Sequence, residues 1–292
     1  MLISKGVYSA GNVSRVILNG RSMLVKRMPV PDIMERALLE CELKRRRRDL
    51  AVYYERLRDA EVNVPHTYIK LSPRGEFFPE SHGLDRQILL ISDEIPALNA
   101  FLAVQRTDYD MVTNIILTCF EETLKIARTV ESCRPIGADL WLANFVVHEN
   151  RAWLVDIYPP RLGFRYASGG CPVRLSEHEL LINYPEGPEL GYEKIARLRG
   201  SYYSIQGMIV HFTSCALSAY YSKFDPGLVW DDVRSSDDTG NLVNVILTRL
   251  EKSELAKLLG SLSSYFRSRA FYDYMVYRFN VAHRRAGEIM EV

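Results

Sequence analysis

Near the start of the chain, two β-rich stretches face each other across Asn19-Gly20, and no other feature constrains the fold as much. Val13 to Leu18 (VSRVIL) and Ser22 to Arg27 (SMLVKR) are rich in branched residues. Asn-Gly is the dipeptide that best tolerates the positive φ angles of a two-residue hairpin turn. Pro29-Val30-Pro31 then ends the sheet pattern. Asp32, with Glu35 three residues on, has the form of a capping box. Leu38, Leu39, Leu43, Leu50, Tyr53, Tyr54 and Leu57 follow at helical spacing to about Ala60. A hairpin feeding one long helix is therefore the expected opening unit.

Asn63-Val64-Pro65 ends that helix, and two further strands are expected at His66 to Leu71 and Gln87 to Ser92, with a polar loop over 72–86. The pattern then changes. Tyr109 to Val130 reads as an amphipathic helix, and from Ser176 onward the chain reads as helix broken by loops. The only strand-like piece expected in the second half is Asn144 to Ile157, where two apolar runs flank a His148-Glu149-Asn150-Arg151 turn. The chain of 292 residues is thus expected to be α+β: a small antiparallel-sheet lobe with one long helix over 1–92, a connector over 93–98, and a larger, mostly helical lobe over 99–292. Thirty-seven basic against 36 acidic side chains leave a net charge of +1, so a dedicated nucleic-acid binder is not expected. Tyr202 to Tyr221 carries no formal charge, but Ser204, Gln206, His211, Thr213, Ser214 and Ser218 suit a buried helix better than a membrane span. Five scattered cysteines without CxxC spacing, and no secretory leader, point to a reducing cytoplasm.

Chemistry is concentrated around the second hairpin. Asp139 precedes it, Asn144 stands at its start and Asp156 at its end, so a hairpin brings Asn144 and Asp156 together with the loop from Asp139 leading in. Two oxygen ligands and a further carboxylate at one edge suit Mg²⁺ held largely by phosphates and water. A carboxylate beside such a site can deprotonate an attacking hydroxyl.

Asp139, four residues, Asn144, a strand–turn–strand and Val155-Asp156 together resemble the catalytic segment of the protein-kinase-like superfamily, in its aminoglycoside phosphotransferase and choline kinase branch. The resemblance implies a bilobal kinase-like fold with the active site between its lobes. It implies that Asp139 is the catalytic base and that Asn144 and Asp156 are the magnesium ligands, within a 139–157 catalytic loop and metal-binding hairpin. Toward the N-terminus, Lys26 takes the place of the strand lysine that holds the α/β-phosphates of ATP, and Glu42, with Glu40 close behind, that of the helix glutamate paired with it. Gly6 to Asn12, with Gly6, Gly11 and Asn12, takes that of the phosphate-covering loop. Ser92 to Pro96, with Ser92 and Glu94, becomes the hinge whose amides bond the adenine. The implied partner is a small-molecule hydroxyl acceptor.

The match has gaps. Gly137 replaces the histidine of the family's His-Gly-Asp, and Trp141 stands where relatives often carry a cation, so Arg161 or Arg165 would have to neutralise the transferring phosphoryl group. These departures leave a catalytically degenerate, kinase-like binding or regulatory protein as one alternative. A kinase acting on Ser or Thr of a protein is another, disfavoured because Asp156-Ile-Tyr-Pro-Pro-Arg leads into no Ala-Pro-Glu segment. The run Lys44 to Arg48 points almost all the way round a helix and is expected to be solvated. The acidic residues Asp225, Asp231, Asp232, Asp237 and Asp238 read as a solvated loop or as a lure for a cationic acceptor.

Overall fold

A computed structural model describes residues 3–4, 13–28, 36–73, 86–131, 136–157, 164–166, 172–174, 204–222 and 237–251. Gly6, Gly11, Asn12, Asp32 and Glu35, and with them the glycine loop and the capping box, lie outside that set. The chain divides into two compact units, residues 1–96 with 157–197, and residues 97–156 with 198–292. The helical part is therefore interrupted, because 157–197 returns to the first unit.

In the first unit, strands β1 (Ile3–Ser4), β2 (Val13–Leu18), β3 (Arg21–Arg27), β4 (Thr67–Pro73) and β5 (Arg86–Asp93) form an antiparallel sheet in the order β1-β2-β3-β5-β4. Leu18 pairs with Arg21 across the expected turn, and Asn19 and Gly20 have φ of 51° and 77°, both positive as a type I′ turn requires. Alternation puts Val16, Met23, Val25 and Leu89 into a buried cluster with Leu18 and Ile91 against it.

Helix α1 (Arg36–Asp59) packs on β4 and β5 and buries Leu43, Leu50, Tyr53 and Leu57 along one stripe. It ends at Asp59, beside the expected Ala60, in a Schellman turn. The Val62 amide reaches the Leu57 carbonyl at 2.9 Å and the Glu61 amide reaches Arg58 at 2.9 Å, with Glu61 left-handed at φ 56°. Tyr54 locks the helix to the sheet, donating to the Pro65 carbonyl and accepting from the Thr67 amide, each at 3.2 Å. Two short strands, β8 (Phe164–Tyr166) and β9 (Pro172–Arg174), pair with each other. They correct the expectation that the second half holds one strand-like piece: three-residue strands are too short to show alternation.

The second unit contains α2 (Ala100–Arg106), α3 (Tyr109–Arg128), a 3₁₀ turn at Leu142–Asn144, the hairpin β6 (Phe145–His148) and β7 (Arg151–Leu154), α4 (Ile205–Ser222) and α5 (Asp237–Leu247). The hairpin turn is Glu149-Asn150, with φ of 50° and 59°. Helix α2, seven residues long, is too short for its period to stand out in the sequence; Asn99 caps it by accepting from the Leu102 amide at 2.9 Å. In α4 every residue from Met208 to Ser222 is buried. Among the described residues no helix is long and apolar enough to cross a membrane. The α+β arrangement, an antiparallel sheet with one long helix followed by a mostly helical unit, is the one expected.

Candidate functional site

The hairpin and its approach belong to the second unit and bring the three candidate residues into one bonded loop. Val155 donates its amide to the Asn144 carbonyl at 2.8 Å, which closes the open end of the β6–β7 hairpin and sets Asp156 one residue beyond Asn144's cross-strand partner. Asn144 Nδ2 then donates to the Asp139 carbonyl at 2.9 Å, tying the loop to the hairpin. The 3₁₀ turn that carries Asn144 is closed by its amide on the Trp141 carbonyl at 2.8 Å. Asp139, Asn144 and Asp156 are all half-buried, while Gly137, Ala138, Leu140 and Leu142 around them are buried. Buried apolar neighbours thus anchor the segment that carries these three half-buried polar residues.

A residue outside the expected set completes this arrangement. His211 of α4 places Nε2 2.8 Å from Asp139 Oδ1. The imidazole is 4% exposed and the Asp139 side chain 36%, so the bond runs from the interior to an accessible carboxylate. An ionised carboxylate only accepts, which assigns the proton to Nε2. Nδ1 faces the Cys215 sulfur at 3.7 Å, one helical turn on. The next residue, Phe212, sets the rotation of α4 by packing its ring on Phe120 of α3 at 5.3 Å and Phe145 of β6 at 6.4 Å. The one available signal was a lone imidazole in a charge-free apolar helix, which reads as a satisfied core residue.

The remaining candidates lie in the first unit. Lys26 is half-buried in β3, between Val13 of β2 and Leu90 of β5, on the face opposite Met23 and Val25. Glu42, expected opposite Lys26, instead holds two arginines of its own helix. Its Oε1 accepts from Arg45 Nη2 and Arg46 Nε, both at 2.6 Å, and its Oε2 from Arg45 Nε at 2.7 Å. The i+3 and i+4 positions lie on the same helix face, which is why these guanidiniums reach it first. Burial raises the Glu42 pKa, but hydrogen bonds and charge from Arg45 and Arg46 outweigh it and hold the carboxyl below its usual value. The basic run is accordingly divided: Lys44, Arg47 and Arg48 are exposed as expected, whereas Arg45 is half-buried and Arg46 is buried.

At the connector, Ser92 pairs with Leu24 and Thr67, and its hydroxyl lies 2.8 Å from Thr67 Oγ1. The Asp93 amide donates to the His66 carbonyl at 3.0 Å and the Glu94 amide to the Ser22 carbonyl at 3.2 Å. The Glu94 carboxylate accepts from Arg15 and Ser22. Hinge amides at 93 and 94 are therefore committed to the sheet.

Among the described residues no three His, Cys, Asp or Glu side chains gather as a metal cage. Asn144 and Asp156 could hold Mg²⁺: both carry hard oxygen donors, and the Asn144 amide nitrogen is turned to the Asp139 carbonyl, so a metal would meet its oxygen. A thiol nucleophile at Cys119 is excluded by burial and the nearby Glu122 charge, both of which push its pKa up.

No protein-family model matches the sequence, and a search of curated proteins finds no match. Among solved structures the chain is similar to the PAN3 pseudokinase of Neurospora crassa, at 15% identity and a TM-score of 0.39. That likeness covers 96% of this chain and 61% of the other.

Proposed function

We propose that this chain is an ATP- and Mg²⁺-dependent phosphotransferase that phosphorylates a hydroxyl of a small molecule. The observation that supports the reading is the bonded series Asp139–Asn144–Val155, which keeps Asp139, Asn144 and Asp156 at one end of one hairpin. Asp139 accepts the proton of the acceptor hydroxyl as the hydroxyl oxygen bonds to the γ-phosphorus, while the bond from that phosphorus to the β–γ bridging oxygen breaks and ADP leaves. Asn144 and Asp156 would hold the metal, which when bound would neutralise charge on the phosphate oxygens. Lys26 is assigned to the nucleotide phosphates, as is the loop of Gly6, Gly11 and Asn12, which lies outside the described residues. Ser92 and Glu94 are assigned to the connector that borders the nucleotide. Glu42, given its arginine partners, supports α1 and reaches the nucleotide only by way of the helix.

The test is ADP formation from Mg-ATP with a panel of amino alcohols, aminocyclitols and sugars. Asp139→Ala should bind nucleotide like the wild type, by calorimetry, and lose about 10²–10⁴-fold in transfer. Undiminished transfer in that variant overturns the reading.

One observation favours a second reading, a kinase-like binding protein without turnover. Trp141, in the place of a helpful cation, packs its ring against Phe101 at 6.2 Å. An indole wedged on α2 contributes no charge to a transferring phosphoryl group. Nucleotide binding with no ADP formation across the panel would decide for it.

A further inference from the structure

The geometry points to His211 as a positioning residue for Asp139, an assignment that rests on Asp139 being the base. A base works only when its oxygen is held where the acceptor hydroxyl arrives. The Nε2–H of His211 holds Oδ1 at 2.8 Å. The imidazole has little freedom of its own: it is buried, it belongs to a helix buried from Met208 to Ser222, and Phe212 beside it is seated between Phe120 and Phe145. Cys215 completes the arrangement. On the far side of the ring, Nδ1 lies 3.7 Å from the Cys215 sulfur, which is both a weak donor and a weak acceptor. Thiol, imidazole and carboxylate thus form a line from the interior of α4 to the loop.

The line looks like a nucleophilic triad, but its geometry assigns the opposite use. Cys215 is 2% exposed, so no substrate reaches its sulfur, whereas Asp139 at the other end is the accessible member. The imidazole therefore serves the carboxylate, with no bond made or broken at sulfur.

Two measurements test this. The first is the imidazole N–H region of the proton NMR spectrum with ¹⁵N-labelled histidine. The wild type should show a low-field, slowly exchanging Hε2 signal from His211 that disappears in His211→Gln and shifts in Asp139→Asn. The second is the kinetics of ADP release from Mg-ATP with whichever panel compound gives the fastest turnover. His211→Leu should lower kcat about 100-fold with the KM for Mg-ATP unchanged. His211→Gln, whose amide N–H falls near the place of Nε2, should recover part of that loss. Thermal unfolding of each variant establishes that it is folded, and His211→Gln alone suffices should His211→Leu not fold. A low-field signal that ignores Asp139→Asn, or wild-type kcat in both His211 variants, overturns the assignment while an inactive Asp139→Asn leaves the base in place. Full activity in Asp139→Asn, or no turnover by the wild type, removes the base itself and the positioning role with it.

Discussion

Helices α1 and α4 solve the same problem in opposite ways. Each buries polar side chains inside a compact unit, where an unsatisfied group is costly. Helix α1 neutralises charge within itself: Glu42 takes Arg45 and Arg46, and Asp49 takes Arg45 at 3.0 Å. Helix α4 carries no formal charge and returns its hydroxyls to its own backbone. Ser214 donates to the His211 carbonyl and Ser218 to the Ser214 carbonyl, both at 2.8 Å, while Ser204 accepts from the Gly207 amide at 3.0 Å. Other bonds leave the helix: Ser222 accepts from Gln105 of α2 at 2.9 Å, and the His211 bond runs to Asp139. A helix that satisfies its hydroxyls locally is scaffold, and the imidazole that reaches the Asp139 carboxylate marks the site.

The contrast can be broken in order of expected effect. Phe212→Ala should cost about 3–5 kcal/mol in chemical unfolding, because the ring fills the junction of α3, α4 and β6. A loss under 1 kcal/mol would mean that α4 is not oriented by this residue. Glu42→Gln should cost about 1–3 kcal/mol, since Arg46 stays buried with a weaker partner while Arg45 keeps Asp49. Its pH dependence has a definite sign. The folded Glu42 pKa lies below its usual 4.5, so its contribution is complete above that value and disappears as pH falls through the lower folded pKa. Wild type and Glu42→Gln should therefore converge in stability in acid, and a gap that stays constant from pH 7 to 3 would contradict the pairing. Ser214→Ala should change stability by less than about 1 kcal/mol, because the hydroxyl leaves together with its own bond.

Local chemistry decided which parts of the fold were legible. Asn19-Gly20 and the apolar runs about Glu149-Asn150 announced both hairpins, because turn residues and alternation act over a few positions. Helix α2 and strands β8 and β9 were missed, being seven and three residues long and so shorter than a readable period. At the site, the Asp139–Asn144–Asp156 spacing was visible because one hairpin brings its ends together. His211 was invisible because it lies 72 residues from Asp139 and only tertiary packing joins them. Glu42 was assigned by spacing from Lys26, yet the nearer arginines on its own helix captured it.

The sheet order carries a consequence for the growing chain. β5, last of the five strands to be made, is inserted between β3 and β4, so β4 has no partner in this sheet until residues 86–93 exist. During synthesis, β3 and β4 each wait with an open edge that only β5 can close, and open edges are where strands join the wrong chain. Chains stalled between residues 73 and 86 should therefore be the form of this protein most prone to aggregate, with every residue of both edges already made and the strand between them still missing.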